Sequence, residues 1–339
     1  MVRCGAPDLE SVINYKHRDS AMNTSASRRS VILWMYENDN GHVPKRALSH
    51  LLEDKGFVVF SEFDMRECYV TSGKVYSACG RCLSDFDVLF HMNADEQSPY
   101  QADILRALQD SGVDVVNECT SFFNCRDKFK ANQLLRQHGI AVPDSALLGT
   151  SVADSVVHGL FARWGSLVYK PRSGHGAVGI MRFVDAEQFI DFMQATRHFL
   201  FDYYVEQYIE FGDYDCRVEI FNGELMGGYS RRKKHSFKTN ISAGGEMTPR
   251  ILGAEVEVAF DAARALKING TIVDMVQSSA DGKFYVLEVN PLLGIFVESA
   301  MRAGTKMPDT EPDQRYSYDR LKLESIADYI DMLPAHPYP

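Results

Sequence analysis

Short apolar segments alternate with amphipathic segments from residue 31 onward, and this alternation is what most constrains the fold. Strands that alternate with helices form βαβ units on a parallel sheet. The predicted strands of the first part cover residues 31–36, 57–63, 87–90 and 113–116, and the predicted helices cover residues 45–55 and 101–111. The first part of the chain is therefore predicted to be a parallel α/β domain.

The later part of the chain is predicted to contain fewer helices and more consecutive strands. The predicted helices begin at 127 and 186 and cover 256–266 and 321–332, and the predicted strands cover 166–170, 180–184, 203–208, 217–221, 224–229, 271–276 and 284–289. Consecutive strands joined by short turns predict antiparallel hairpins.

Charge and composition exclude several classes of protein. The 339 residues carry 36 Lys and Arg against 46 Asp and Glu, so the formal net charge of −10 predicts a surface that repels nucleic acid and anionic membranes. No apolar run approaches the about 18 residues of a membrane-spanning helix, and we find no signal-peptide core. Seven scattered cysteines fit reduced thiols. We therefore expect a cytoplasmic protein without nucleic-acid or membrane partners.

A glycine-rich turn follows a predicted strand and matches G-x-G-x-x-G, the dinucleotide-binding pattern, with Gly174, Gly176 and Gly179. A Rossmann turn opens a helix, whereas residues 180–184 are β-branched and aromatic and predict a strand. The pattern therefore predicts a hairpin flap whose N–H groups cover phosphates, with Lys170 beside them. The alternative is a flexible hairpin tip, with Lys170 as an ordinary surface lysine.

Two carboxylates face each other on the last predicted hairpin. With a turn at residues 280–282, alternation places Asp274 opposite Glu288 and Asn290 diagonal to Asp274, and it places Val286 on the face of Glu288. Opposed carboxylates repel, and their apolar neighbours predict partial burial. A hard divalent cation would offset that cost. The alternative is that one carboxylate faces solvent or pairs with a nearby arginine.

Taken in order, these features resemble the ATP-grasp superfamily, and within it the RimK-like carboxylate–amine ligases, over residues 85–294. The segments that carry the resemblance are Asp127-Lys128, residues 139–143, Lys170-Pro171, the flap glycines, Gln207-Tyr208-Ile209, Asp215-Cys216-Arg217, Phe237-Lys238-Thr239-Asn240, Gly244-Gly245 and the set of Asp274, Glu288 and Asn290. The resemblance implies an α/β fold in which an N-terminal parallel pre-ATP-grasp domain precedes a two-lobed ATP-grasp domain.

The predicted domain boundaries divide the chain into four parts. Residues 1–29 are polar, rich in Ser, Arg and Asn and without sustained periodicity, so their composition predicts a flexible arm. The resemblance implies the pre-ATP-grasp domain at 30–125, the small lobe with its flap at 126–204 and the large lobe with its metal site at 205–333. Within the last part, residues 303–316 are expected to form an exposed linker.

The resemblance also implies ligands and their binding residues. It implies ATP and Mg²⁺, with Mn²⁺ as an alternative metal. The implied nucleotide-binding residues are Lys128, Lys170, Gly174, Gly176, Gln207, Tyr208, Asp215, Lys238, Thr239 and Asn240, and the implied metal ligands are Asp274, Glu288 and Asn290. Among them, Gln207 and Tyr208 are expected to hold the adenine, and Asp215 is expected to contact the ribose side.

The activity implied by the resemblance is ATP-dependent formation of an amide through an acylphosphate, with release of ADP and phosphate. Arg217 is expected to stabilise the transferring phosphoryl group and the tetrahedral oxyanion, Arg231 or Arg232 to orient the substrate carboxylate, and Lys238 to lie beside the triphosphate. For the basic run at residues 231–235, a solvated strand end is the alternative interpretation.

Two other function classes remain open at this stage, namely a phosphotransferase acting on a hydroxyl group and a nucleotide-binding regulatory module. The sequence does not identify the acid or the amine. An amino acid, a peptide and a protein terminus all remain candidates for these substrates. The sequence also does not decide between single and repeated addition of the substrate, or whether the protein forms a homo-oligomer.

Overall fold

The computed structural model describes residues 29–35, 42–92, 99–174, 176–234, 237–240, 244–295 and 319–334. The predicted arm, apart from Arg29, and the predicted linker at 303–316 lie outside these described residues. None of the helices that the structure describes has the length and apolar character needed to traverse a bilayer.

Fifteen strands and eight α-helices are described. The strands are β1 (Ser30–Met35), β2 (Val58–Phe60), β3 (Tyr69–Thr71), β4 (Lys74–Tyr76), β5 (Val88–Met92), β6 (Asp114–Val116), β7 (Ser145–Gly149), β8 (Leu167–Lys170), β9 (Met181–Phe183), β10 (Asp202–Gln207), β11 (Tyr214–Phe221), β12 (Glu224–Arg232), β13 (Glu246–Pro249), β14 (Gly270–Gln277) and β15 (Phe284–Asn290). The helices are α1 (His42–Asp54), α2 (Pro99–Asp110), α3 (Cys119–Arg126), α4 (Lys128–Gln137), α5 (Asp154–Trp164), α6 (Ala186–Thr196), α7 (Glu255–Leu266) and α8 (Arg320–Met332).

The first sheet is parallel, as the alternation of strands and helices predicts. Its strand order is β2-β1-β5-β6, and every pairing in it is parallel. β1 and β5 lie at its centre and are almost entirely buried, which explains why both read as continuous apolar runs.

Two further sheets are antiparallel and form the lobes around the site. The four-stranded sheet has the order β7-β10-β8-β9, and β8 and β9 form the predicted flap hairpin. The five-stranded sheet has the order β13-β12-β11-β14-β15 and carries the predicted acidic hairpin. The α/β fold with a parallel N-terminal sheet is therefore confirmed.

Helix α4 begins where the sequence predicts and brings Lys128 to the site. The Asp127 side chain caps it by accepting hydrogen bonds from the N–H groups of Phe129 and Lys130. Such caps satisfy N–H groups that have no partner in the first helical turn. The buried face of the helix, with Ala131 and Leu135, joins the core under the five-stranded sheet and so fixes its direction.

Helix α8 completes the core of the N-terminal sheet. Leu323, Ile326 and Ile330 are fully buried and share this core with β1 and α1. Four residues in or just after the five-stranded sheet also belong to it, namely Phe221, Met226, Leu293 and Ile295. The predicted boundaries assign this helix to the large lobe, and that assignment stays a prediction, since α8 packs against β1 and α1 and, through Tyr329, also against Phe221 of the five-stranded sheet.

Several local predictions differ from the structure. The strand predicted at 57–63 ends at Phe60, and a short 3₁₀ turn capped by Asp64 follows it. Helix α5 and strand β7 were not predicted at all. α5 buries only Val157, and β7 buries only Leu148 at the edge of its sheet, so neither shows the apolar period of its element.

Candidate active site

A cleft of about 920 Å³ opens between the flap, the four-stranded sheet and the five-stranded sheet. Most of the residues predicted for the site line it, although they come from distant parts of the chain. The predicted residues that line the cleft are Lys128, Lys170, Gly174, Gln207, Tyr208, Asp215, Arg231, Lys238, Thr239, Asn240, Asp274 and Glu288. The fold therefore gathers a set of cations and carboxylates in one place.

Lys170 forms a buried ion pair on one wall of the cleft. Its Nζ lies 2.6 Å from Glu206 Oε2, and Glu206 Oε1 accepts a hydrogen bond of 2.6 Å from the Tyr204 hydroxyl group. Lys170 is 8% and Glu206 3% exposed, so the desolvation cost is high and good geometry must offset it. Glu206 is not among the residues predicted for the site. The register of β8 and β10 was the available signal, because it places Tyr204 opposite Lys170 and Glu206 diagonal to it.

The hinge after β10 brings Gln207 and Tyr208 to the cleft, as predicted. Their backbone N–H groups donate to Asp144 O and Ser166 O at 2.7 and 3.3 Å, which fixes the hinge against its neighbours. The guanidinium carbon of Arg182, on the outgoing strand of the flap, lies 3.5 Å from the centroid of the Tyr208 ring. This cation–π contact ties the flap to the hinge.

Lys128, which is predicted to bind phosphate, and Lys238, which is predicted to lie beside the triphosphate, both contact the flap over the cleft. Lys128 Nζ donates to Gly174 O at 2.9 Å and also lies 2.9 Å from Glu288 Oε1. Lys238 Nζ donates to Ala177 O at 3.1 Å. Both ammonium groups therefore already lie at the inner surface of the flap, where a phosphate chain beneath it would meet them.

Gly179 allows the flap to turn back, and its replacement gives a testable prediction. Its φ is +75°, and an added Cβ would lie 2.9 Å from Pro171 Cγ. We expect Gly179→Ala to raise the KM for ATP about 10-fold, because the clash with Pro171, added to a left-handed backbone strain of about 1–2 kcal/mol, must displace the flap. In Gly282→Ala the φ is +72° with no atom within 4 Å of the Cβ, so this control carries the backbone strain alone. An equal KM in both variants would contradict the role given to the flap.

Asp274 lies directly opposite Glu288, which confirms the predicted register. One part of that prediction is wrong. Val286 pairs with Met275, so Leu287 is the additional residue of a β-bulge between the two pairs. The bulge turns Val286 into the core and Leu287 toward the cleft, whereas simple alternation placed Val286 on the face of Glu288.

Two arginines neutralise Asp274. Arg217 donates to both of its carboxylate oxygens, from Nε at 2.5 Å and Nη2 at 3.1 Å, and Arg231 Nη2 donates to Oδ2 at 3.1 Å. Burial alone would raise the pKa of the Asp274 carboxyl, but the two guanidinium groups outweigh burial and hold that pKa below its usual value. Asp274 therefore pairs with nearby arginines, which is the alternative that the sequence left open for one of the two carboxylates.

Asp215 holds Arg231 in place. Its carboxylate accepts from the Arg231 backbone N–H at 3.0 Å, from Nε of that side chain at 3.0 Å and from Nη2, and Thr239 Oγ1 donates to it at 2.5 Å. Both oxygens are therefore committed within the protein. Asp215 also lines the cleft, and its expected contact with the ribose side stays a prediction.

Four predicted residues do not line the cleft. Gly176 is one of them, and Arg217 is another, its guanidinium bonded to Asp274 and, through Nη1, to the Tyr229 hydroxyl group at 2.9 Å. Arg232 follows Arg231 on β12 and therefore points to the other face, where it is exposed. The fourth, Asn290, has a buried Nδ2 that finds no hydrogen-bond partner among the described residues. Arg231 is thus the arginine that the cleft presents, since its Nη1 makes no hydrogen bond within the described chain.

Comparison with known proteins identifies the family. The sequence profile of the RimK-like ATP-grasp domain matches residues 125–307, more than half of the chain. This chain belongs to the RimK-like ATP-grasp family. The matched range begins within α3 and covers every residue that lines the cleft.

Curated relatives of this RimK-like chain carry names of ligases. It is 25% identical over 250 residues to a coenzyme gamma-F420-2:alpha-L-glutamate ligase from Methanococcus maripaludis, covering 72% of this chain and 81% of that protein. It is 28% identical over 263 residues to a tetrahydromethanopterin:alpha-L-glutamate ligase from Methanosarcina acetivorans, covering 69% and 78%.

Solved structures support the fold of this RimK-like chain. The ATP-grasp ligase PsnB complexed with its minimal precursor superposes with a TM-score of 0.60 at 14% identity, over 89% of this chain and 98% of that one. D-alanine–D-alanine ligase from Bacillus anthracis complexed with ATP gives a TM-score of 0.56 at 19% identity, over 90% and 99%. These likenesses extend beyond the matched domain and include the N-terminal sheet.

Proposed function

We propose that this chain is an ATP-dependent ligase that activates a carboxylate as an acylphosphate and joins it to an amine. The observation that carries the proposal is the cleft itself, which is lined by cations from α4, β8, β12 and residues 237–240 together with the opposed carboxylates of Asp274 and Glu288. Phosphoryl transfer needs positioning and charge neutralisation more than a protein nucleophile. Family membership and the names of the relatives favour a ligase over the phosphotransferase and the regulatory module.

The names of the relatives support glutamate as the first candidate for the amine. Both relatives described above are named alpha-L-glutamate ligases. A dicarboxylate of this kind also suits a cleft with several cations in an otherwise acidic protein, whose formal net charge is −10. Peptides are the second candidate class, because the PsnB structure is described as complexed with a precursor.

ATP would enter beneath the flap. Lys128 and Lys238 would exchange the flap carbonyls of Gly174 and Ala177 for phosphate oxygens, a stronger charge-assisted contact. Lys170 would remain against Glu206 and offer its charge to the same chain of phosphates. The hinge at Gln207 and Tyr208 would face the base.

The acidic hairpin fits a divalent cation. Glu288 and Asn290 supply hard oxygen donors, and Asp274 would add a carboxylate oxygen while it keeps the hydrogen bonds that it accepts from Arg217 and Arg231. The described residues contain no cluster of three or more His, Cys, Asp or Glu side chains placed for a metal, so the amide would complete the set. Bound Mg²⁺, or Mn²⁺ in its place, would neutralise charge on the phosphates.

In the first chemical step, an oxygen of the substrate carboxylate attacks the γ-phosphorus of ATP, and the bond to the β–γ bridging oxygen breaks. The products are an acylphosphate and ADP. In this step Arg231 would direct its Nη1 to the transferring group, while Asp215 and Asp274 hold the rest of its guanidinium. Arg217 would keep Asp274 in place rather than contact the substrate.

In the second step, the amine attacks the acyl carbon, and the tetrahedral intermediate collapses to an amide with release of phosphate and a proton. Lys128, Lys238 and Arg231 would stabilise the negative charge on the oxygen and on the departing phosphate. A cleft closed by the flap also protects the acylphosphate from hydrolysis by water.

The experiment that tests this proposal supplies purified protein with ATP, Mg²⁺, glutamate and a panel of carboxylic acids. We expect ADP and free phosphate in equal amounts, with a product lighter than its two parts by one water. Hydroxylamine in place of the amine should give a hydroxamate. A phosphorylated product without free phosphate would instead identify a kinase, and nucleotide binding without turnover of any acid would favour the regulatory module.

A further inference from the structure

Lys322 is a buried cation on helix α8, outside the matched RimK-like domain and far from the cleft in sequence. Its Nζ donates to Glu219 Oε2 and, at 2.8 Å, to Gly294 O. We propose that Lys322 is a positioning residue that fixes the ends of β11 and β15, and with them Arg217 and Asn290. The effect of Lys322 on turnover rests on the proposed ligase function, whereas its effect on the positions of β11 and β15 does not.

The pair of Lys322 and Glu219 is almost completely removed from solvent. Lys322 is 1% and Glu219 0% exposed. Oε1 of Glu219 has no hydrogen-bond partner among the described residues, so Lys322 provides the main compensation for this carboxylate. A buried carboxylate without its cation is strongly unfavourable, so the position of Lys322 determines where Glu219 lies.

Glu219 transmits this constraint to the site through β11. Because side chains alternate, Asp215, Arg217 and Glu219 lie on one face of the strand. Arg217 holds Asp274, and Asp215 holds Arg231. A shift of Glu219 along or out of the sheet therefore moves the residues that place both arginines.

Gly294 transmits the constraint to the end of β15. Between Asn290 and Gly294 the chain makes a tight turn, in which Leu292 N–H donates to Asn290 O at 2.8 Å. The Thr271 hydroxyl group donates to the same carbonyl, also at 2.8 Å. Lys322 holds the far side of this turn, so it limits how far Asn290 can move.

Helix α8 is itself well anchored, so the Lys322 ammonium has a fixed origin. Three apolar side chains of the helix are fully buried against the N-terminal sheet. Asp319 caps the first turn, and its backbone N–H donates to Ile295 O at 2.7 Å, one residue beyond Gly294. Lys322 thus joins the N-terminal core to the segment after β15, in addition to the hydrogen bonds that Asn117 donates to Gly270 O and Pro291 O.

The decisive variant removes both charges, Glu219→Met with Lys322→Met. Lys322→Met alone would leave the Glu219 carboxylate buried without its cation and would destabilise the fold. Replacing both partners by apolar side chains of similar shape avoids that cost, so the double variant is expected to keep the fold. We expect a melting temperature close to that of the wild type, a kcat lower by about 10- to 100-fold, and an ATP affinity changed by less than about 3-fold. Amide hydrogen exchange across residues 288–295 should become faster.

Tyr329→Phe is the matched control on the same helix. Its hydroxyl group accepts from Asn269 Nδ2 at 2.5 Å, another contact between α8 and the five-stranded lobe, but not one at Gly294. We expect unchanged kcat and unchanged exchange at 288–295 in this control. Lys322→Arg, which retains a cation, should restore part of the activity lost in Lys322→Met.

The outcomes separate this inference from the proposed function. If the wild type forms amide and the double variant keeps its kcat and its exchange rates, the positioning role is wrong. If the wild type forms no amide, the ligase proposal fails, and exchange at 288–295 alone then decides the role of Lys322. Equal acceleration of exchange in Tyr329→Phe would also overturn it, because general loosening of α8 would then explain the result.

Discussion

Asp274→Asn is expected to reduce turnover by about 1,000-fold and to lower the free energy of unfolding by about 3–5 kcal/mol. The carboxylate receives three hydrogen bonds from Arg217 and Arg231, and the side chain is almost fully buried. An amide can accept at one oxygen only, and its NH₂ group would face a guanidinium. Urea unfolding and steady-state turnover measure the two effects separately.

The control for this variant is Asp281→Asn at the tip of the same hairpin. Asp281 accepts from Lys283 N–H and the Tyr285 hydroxyl group but lies in solvent, so we expect turnover and stability close to those of the wild type. Turnover in Asp274→Asn within 10-fold of the wild type would contradict the account of the site.

The pH dependence of stability gives a second test of the same contact. The folded-state pKa of Asp274 lies below its ordinary value, so the stabilisation is complete above the unfolded pKa of about 3.9 and is lost as the pH falls through the folded pKa. The difference in unfolding free energy between wild type and Asp274→Asn should therefore stay constant from about pH 5 to 8 and shrink below about pH 4.

Lys170→Met is expected to raise the KM for ATP by about 10- to 100-fold, since a charge-assisted contact contributes about 1.5–3 kcal/mol. It should also destabilise the protein by about 3–5 kcal/mol, because Glu206 stays buried without its cation. The double variant Lys170→Met with Glu206→Gln removes both charges and should recover most of the stability without recovering the KM. Nucleotide titration and thermal unfolding distinguish these effects.

The matched control is Lys130→Met on the exposed face of α4, which removes a lysine near the site without breaking a buried pair. We expect an unchanged KM for ATP in it. If Lys170→Met binds ATP as well as this control does, Lys170 has a structural role alone.

The flap and the acidic hairpin could be predicted from sequence because each depends on local patterns. The β-branched and aromatic residues after Gly179 distinguish a returning strand from a Rossmann helix, and β9 is that strand. Side-chain alternation and a short turn were enough to place Asp274 opposite Glu288. In both cases the determining residues lie close together in the chain.

The partners of the charged residues could not be predicted in this way. Arg217 and Asp274 are 57 residues apart, and their contact depends on β11 lying beside β14. The β-bulge at Leu287 leaves no mark in the alternation of apolar and polar residues. Lys322 reads as one more lysine on an amphipathic helix, and only the packing of α8 shows that it is buried.

The most direct test of the ligase account follows the oxygen atoms of the acid substrate. The protein is given ATP, Mg²⁺, the amine and an acid labelled with ¹⁸O in its carboxylate, and the released phosphate is analysed by mass spectrometry. An acylphosphate intermediate transfers one carboxylate oxygen to phosphate, so one ¹⁸O atom is expected in each phosphate for each amide formed. Amide formation with unlabelled phosphate would contradict activation of the acid as an acylphosphate.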